Sequence, residues 1–156
     1  MTIRYADSLE GISPDDLHGF WVGWPTAPSP EVHHRSLAGS EAIVLAVDDA
    51  AGGRVVGFVH AIGDGVLTAF IPSLEVLPEY QGRGIGTELV RRLLARLEDR
   101  YSVDLVCDDD VVPFYERLGL SRYGAMIRRD RGAILTALGS FPDEPSGDDP
   151  PGGPTG

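Results

Sequence analysis

The chain has 156 residues, 42% of them hydrophobic, and a formal net charge of −11. Such a length suits one globular domain with a sizeable core, and so acidic a balance opposes nucleic-acid binding, which needs a basic surface. No apolar run approaches the roughly 20 residues that span a bilayer, no secretion signal opens the chain, and the lone cysteine, Cys107, excludes an intrachain disulfide and fits a reducing, cytoplasmic setting.

In chain order, Ile3-Arg4-Tyr5 reads as a first strand. Ser13-Pro14-Asp15-Asp16 predicts a helix start, with serine as N-cap, proline at N1 and acids in the first turn, running through Leu17, Phe20 and Trp21. An irregular aromatic loop from Gly23 to Pro30 follows, and Ser29-Pro30-Glu31 starts a second helix that ends near Gly39. Ile43 to Val47 and Arg54 to Ile62 read as strands joined by a turn. Val66 to Val76 is a longer strand with Pro72 inside it; proline cannot donate to the ladder, so a bulge or lost pairing is expected there.

Residues 84 to about 99 give the clearest helix, with Ile85, Leu89, Leu93 and Leu97 every four residues. Tyr101 to Cys107 reads as a buried strand and Val111 to Leu118 as a short helix ended by Gly119. Arg122 to Arg128 reads as a strand, and Gly132 to Leu138 stays ambiguous between strand and helix. From Phe141 the chain is rich in proline, glycine and aspartate with no further apolar residue. It cannot bury enough surface to fold, so the expected organisation is a domain over 1–140 and a disordered acidic tail over 141–156. The tail carries four negative charges, leaving −7 on the rest.

One stretch carries chemistry. Val76-Leu77-Pro78-Glu79-Tyr80-Gln81-Gly82-Arg83-Gly84-Ile85-Gly86-Thr87 takes an apolar strand through a glycine-rich turn straight into the long helix. The first helical N–H groups have no internal partners, and together with the helix dipole they favour phosphate oxygens. Arg83 adds a positive charge at the rim. Dinucleotide spacing fails because Thr87 stands where a third glycine belongs, and Walker spacing fails because no Gly-Lys-Ser/Thr follows. A glycine turn that caps a helix without any ligand is the bland alternative.

Gln81-Gly82-Arg83-Gly84-Ile85-Gly86 resembles the coenzyme A pyrophosphate loop of the GCN5-related N-acetyltransferase (GNAT) superfamily. Downstream, Pro113-Phe114-Tyr115-Glu116-Arg117-Leu118-Gly119-Leu120 resembles that family's second signature. The resemblance spans about residues 66 to 129 and implies an α/β (α+β) GNAT fold: a mixed, mostly antiparallel central sheet with helices on both faces. It further implies transfer of an acetyl group from acetyl-CoA, as acyl donor, to an amine of a small molecule or protein, by direct attack in a ternary complex and without a metal. A non-catalytic acyl-CoA-binding or regulatory domain is the alternative. Neither nucleic acid nor membrane is an expected partner; the residues leave the oligomeric state open, with a homodimer as the common default.

Mapped by that resemblance, Gln81, Gly82, Arg83, Gly84, Gly86 and Thr87 hold the cofactor, and the Val76 main-chain N–H polarises the thioester carbonyl. Tyr115 is the expected general acid: a phenol with pKa near ~10 keeps its proton at neutral pH and can serve a departing thiolate. A tyrosine packed on the coenzyme or the core is the competing reading. Family members carry a proton acceptor at positions that align with Phe70 and Pro72, and neither of these can serve. Glu75 is the nearest ionisable side chain and the candidate base, with a satisfied structural carboxylate as the equal reading and a water chain to Glu75, His60 or His34 as the alternative; a strand histidine such as His60 is more often a satisfied one than a base. His33 and His34 diverge on a helix and make a poor metal pair. Cys107 lacks a placed histidine for nucleophilic chemistry. Asp108-Asp109-Asp110 reads as an N-cap for the helix at Val111. Relatives often place an asparagine near Asp108 on the pantetheine arm, and this chain departs from that pattern. Trp21 and Trp24 line the acceptor pocket or pack in the core.

Overall fold

Five strands pair in sequence order in the computed structural model, which describes residues 1–130 and 133. β1 (Ile3–Ala6), β2 (Ala42–Asp48), β3 (Arg54–Gly63) and β4 (Thr68–Val76) run antiparallel, and β5 (Ser102–Leu105) lies parallel to β4. The expected mixed sheet is present. All of β2 is buried. A strand covered on both faces needs no polar alternation, and Ala42 to Val47 shows none.

Helices cover both faces, as two adjacent β3 residues show. On one face Phe58 meets His33 of α1 (Pro30–Ala38) edge-on, ring centroids 4.3 Å apart. On the other, a Cβ at Gly57 would stand 3.0 Å from Leu89 Cδ1 of α2 (Ile85–Arg96). Gly57 lets α2 settle onto the sheet. The α2 stripe buries Ile85, Leu89, Val90 and Leu93, each worth about 1.5–3 kcal/mol of transfer free energy. α1 starts as its sequence dictates: Val32 N–H donates to Ser29 Oγ at 3.3 Å, and Pro30 occupies the first turn, where no donor is needed.

The structure departs from the sequence reading at four places. The expected helix from Ser13 is one 3-10 turn, Pro14–Leu17. Its cap forms, with Ser13 N–H donating to Asp16 at 2.8 Å, but Gly19 (φ 88°) and Trp21 (φ 67°) turn left-handed and end it. The strand at Tyr101–Cys107 is only Ser102–Leu105 and forms the last strand of the described sheet, so Tyr101 is 90% exposed. α3 (Val112–Glu116) is capped by Val111 with no side-chain bond, not by an aspartate; Asp109 instead pairs with Arg122 at 3.1 Å. The expected strand at 122–128 has no regular structure, and among the described residues no strand pairs with it.

Residues 1–126 make one compact unit, and a second begins at Ile127. The ambiguous segment Gly132 to Leu138, Ala133 apart, and the acidic tail over 141–156 lie outside the described residues.

Candidate active site

Two irregularities of β4 open the sheet. His60 pairs with Ser73 but Ile62 with Phe70, so two steps along β3 match three along β4. The extra residue falls at Ile71–Pro72, the bulge expected of a proline that cannot donate. The second irregularity is the departure of β5, whose pairing with β4 ends at Ile71↔Leu105 while β4 runs on to Val76. Leu77 N–H donates to Val56 O at 2.9 Å. Alternation along the strand therefore turns the N–H and C=O of Val76 away from β3, into the gap that β5 leaves. Gln81 Nε2 donates to the Val76 carbonyl at 2.9 Å. The neighbouring N–H points into the gap.

Below that gap lies the glycine loop. Gly82 (φ 72°) and Gly84 (φ 80°) hold left-handed backbone, and a Cβ built on either meets nothing within 4 Å. These glycines are required by dihedral and leave an open surface. Glu88 N–H is the first to find a helical carbonyl, that of Gly84 at 3.1 Å, so the amides of Ile85, Gly86 and Thr87 have no partner among the described residues and can serve a ligand. A cavity of about 280 Å³ lies between these residues, Val76 and Phe114 of α3. Arg83 lies over the Tyr80 ring, 5.7 Å from its centroid, and keeps its charge at the exposed rim. Glu88, a negative charge in the same helical turn, is covered by Arg91 at 3.0 Å and Arg92 at 2.7 Å. Arg83 also donates to the Met1 Sδ at 3.0 Å, a contact that leaves its charge unneutralised; free amides, a helix dipole and a guanidinium without a carboxylate partner fit a diphosphate.

Gly82, Gly84, Gly86, Thr87 and Val76 are thus brought together on one cavity. Gln81 also lines it, while its amide nitrogen braces the end of β4. Two wall residues escaped the sequence reading. Phe114 was visible in its motif but overshadowed by Tyr115; its Cζ comes 3.9 Å from a Cβ built on Gly86. Tyr80 donates its hydroxyl to Asp48 at 3.0 Å, which fixes the loop's approach, and its signal was only a tyrosine in a turn.

Tyr115 sits on α3, half-buried, its ring edge-on to Phe114 at 4.9 Å. Burial, with the Cys107 thiol nearby as a lesser cause, pushes the phenol up to about 12. It holds its proton throughout the neutral range.

Glu75, the candidate base, has both carboxylate oxygens engaged. Its Oε2 accepts Trp21 N–H at 2.9 Å and its Oε1 accepts Val22 N–H at 3.2 Å. That clamp holds the loop carrying Trp21 and Trp24, whose rings meet at 5.0 Å; Trp24 is half exposed at the surface and Trp21 packs on Phe58 and His33. Both ring nitrogens of His33, and Trp21 Nε1, are buried with no partner among the described residues. His34 Nε2 donates to Ile12 O at 3.1 Å. Among the described residues no three His, Cys, Asp or Glu side chains are grouped to hold a metal ion, and no helix is long and apolar enough to cross a membrane.

Comparison with known proteins adds to this geometry. The family model described as the Acetyltransferase (GNAT) family matches residues 9–120. A crystal structure from Deinococcus radiodurans R1, assigned as an acetyltransferase, is 51% identical over 81% of this chain and 87% of that one, with a TM-score of 0.78. A GNAT family acetyltransferase from Streptococcus pneumoniae TIGR4 is 32% identical over 83% of this chain and 99% of its own, with a TM-score of 0.65. Serotonin N-acetyltransferase 2, chloroplastic, of Oryza sativa subsp. japonica is 35% identical over 105 residues, 64% of this chain and 51% of that protein. The chain spans little more than half the length of the curated relatives it matches first.

Proposed function

The chain belongs to the acetyltransferase (GNAT) family, and from that premise we propose that it transfers an acetyl group from acetyl-CoA to an amine within a ternary complex. The observation that carries this reading is the Val76 amide, directed into the β4–β5 gap above the cavity rimmed by the free α2 amides. Acetyl-CoA supplies the activated acyl group, and the protein supplies position and polarity.

Each step falls to a residue of this chain. The amides of Ile85, Gly86 and Thr87, with Arg83 at the rim, hold the diphosphate. Val76 N–H donates to the thioester oxygen as negative charge grows there; a single such donor is worth about 10²–10³ in rate in other acyl-transfer enzymes. Phe114 walls the cavity. Tyr115, at about 12, is a weaker acid than a thiol with pKa near ~8.5. Its main service is therefore a hydrogen bond to the departing sulfur. We assign Glu75 to holding the acceptor loop, since both of its oxygens are committed to Trp21 and Val22.

Phe70 and Pro72 favour a second reading, a non-catalytic acyl-CoA-binding domain, because they leave the middle of β4 without a proton acceptor. One assay separates the two. Purified protein is given acetyl-CoA with serotonin, tryptamine, spermidine or a lysine peptide, and free thiol is measured. Amine-dependent thiol release supports the transferase. Calorimetric binding of acetyl-CoA without release on any amine supports the second reading, and no binding at all removes both.

A further inference from the structure

We infer that His60 is the general base of the transfer, accepting the amine's proton on a bare Nε2 that faces the α1 side of the sheet. The inference rests on the transferase reading above and deepens it.

One hydroxyl fixes the tautomer. Ser40 Oγ–H donates to Ser36 O at 2.9 Å, which uses its only hydrogen. The same oxygen lies 2.7 Å from His60 Nδ1 and so must accept there. Nδ1 therefore carries the ring hydrogen, and Nε2 keeps its lone pair. No described group bonds to Nε2; His60 as a whole is 4% exposed, and its Nε2, unlike both nitrogens of His33, is not one of the fully buried atoms left without a partner. Burial holds the imidazole down at about 4, so the ring is neutral and able to accept at pH 7.

Its place in the sheet is the second support. His60 pairs across the ladder with Ser73, next to the Pro72 bulge, and shares its face with Glu75 and Phe58. His33 of α1 and Glu75 of β4 are the titratable groups beside it on this face. Three ladder rungs separate it from Val76, roughly 10 Å along the strand. The amine and one bridging water close that span, and the Ser73 hydroxyl, uncommitted among the described residues, offers that water a partner. Elimination leads to the same residue. Glu75 has given both oxygens to backbone amides, and Phe70 and Pro72 have no acceptor. His33 is sealed, and His34 already spends Nε2 on Ile12.

The proton count closes without an outside reagent. The amine nitrogen bonds to the thioester carbon while its proton passes to His60 Nε2. The C–S bond breaks with its electron pair on sulfur, where the Tyr115 hydroxyl donates a hydrogen bond. His60 then gives up the proton through water to the thiolate. One amine and one thioester become one amide and one thiol.

Two measurements on the full chain test this. Nitrogen NMR of the histidine-labelled protein reads the tautomer without any substrate: a bare Nε2 and a protonated Nδ1 on His60 are expected, and a protonated Nε2 overturns the inference. The second is kinetics with whichever amine of the panel the wild type acetylates. His60→Asn retains a group that can donate to Ser40 and loses Nε2, so kcat is expected to fall about a hundredfold, with the calorimetric affinity for acetyl-CoA unchanged. A folded His60→Asn within twofold of wild-type kcat overturns it. If that variant does not fold, Ser40→Ala, which only unlocks the tautomer, carries the test; about a tenfold loss supports the inference and none overturns it. A wild type that acetylates no amine removes the transferase reading and this one together, whereas an active wild type with an equally active variant removes only this one.

Discussion

Glu75 and Trp21 are joined across 54 residues of sequence by a carboxylate-to-amide hydrogen bond of 2.9 Å, and Trp21 is the one non-glycine residue with left-handed backbone among those described. The two facts are connected. A left-handed φ costs an ordinary residue about 1–2 kcal/mol, and a charged acceptor bonded to two successive amides repays it.

Glu75→Gln leaves one oxygen to accept and replaces the other with a donor facing an N–H. Bonds to a charged group are worth about 1.5–3 kcal/mol, so a loss of roughly 2 kcal/mol in unfolding free energy is expected by urea titration. As Glu75 orders the loop that carries Trp24, KM for the amine should rise severalfold with kcat within about threefold of wild type. A kcat collapse at unchanged KM would instead return Glu75 to the role of base.

Gly84 tests the diphosphate cradle. Its φ of 80° is strained for any side chain, although a Cβ there meets no protein atom. Gly84→Ala should therefore relax the turn that presents the α2 amides and weaken acetyl-CoA binding about tenfold or more, an energy of about 1.4 kcal/mol. Calorimetry reads this directly. Gly52→Ala, in another open left-handed turn far along the sequence, is the control: similar strain, unchanged affinity.

Tyr115→Phe removes the hydroxyl and keeps the ring against Phe114. A loss in kcat of about 10² is expected, with acetyl-CoA affinity preserved. The pH profile should also be informative: with the phenol held near 12, the wild type should show no activity loss up to pH 9 attributable to Tyr115 ionisation. A limb near pH 9 that disappears in the phenylalanine variant would contradict the assigned burial.

Much of this site was legible in the chain because its chemistry is local. Gly82, Gly84 and Gly86 stand within five residues, and the dihedrals that require glycine at the first two are set by the turn itself. Pro72 announced its bulge for the same reason: a missing donor acts at its own position. Glu75 shows where such reading stops. Its partners are 53 and 54 residues away, and no local pattern says that a strand acid will spend both oxygens on a distant loop. Residues 122–128 show the converse failure, since a short apolar run such as Ala125-Met126-Ile127 becomes a strand only where a neighbour exists to pair with it. His60 lay between these cases, visible as a histidine on a strand but with its tautomer decided by Ser40.

His33 and His60 make the fold sensitive to acid. Burial holds both near 4 in the folded chain, against 6.5 when solvated, and they lie close enough for charge on one to disfavour charge on the other. Between pH 6.5 and 4 the unfolded chain therefore binds more protons than the folded one, so stability is full above pH 6.5 and drains away as pH falls. Each group forfeits roughly 2 kcal/mol by pH 5. His33 contributes nothing in return, since both its nitrogens are buried among Phe20, Trp21 and Phe58 with no partner among the described residues. Replacing an unsatisfied polar ring by an apolar one of similar shape is close to neutral or stabilising. His33→Phe should match or exceed wild-type stability at pH 7.5 and lose about half of the pH 7.5-to-5 decline, as read by urea unfolding at the two pH values. An undiminished decline would mean that His33 is hydrated and titrates normally, and a strong loss of stability at pH 7.5 would mean that its nitrogens hold a partner worth keeping.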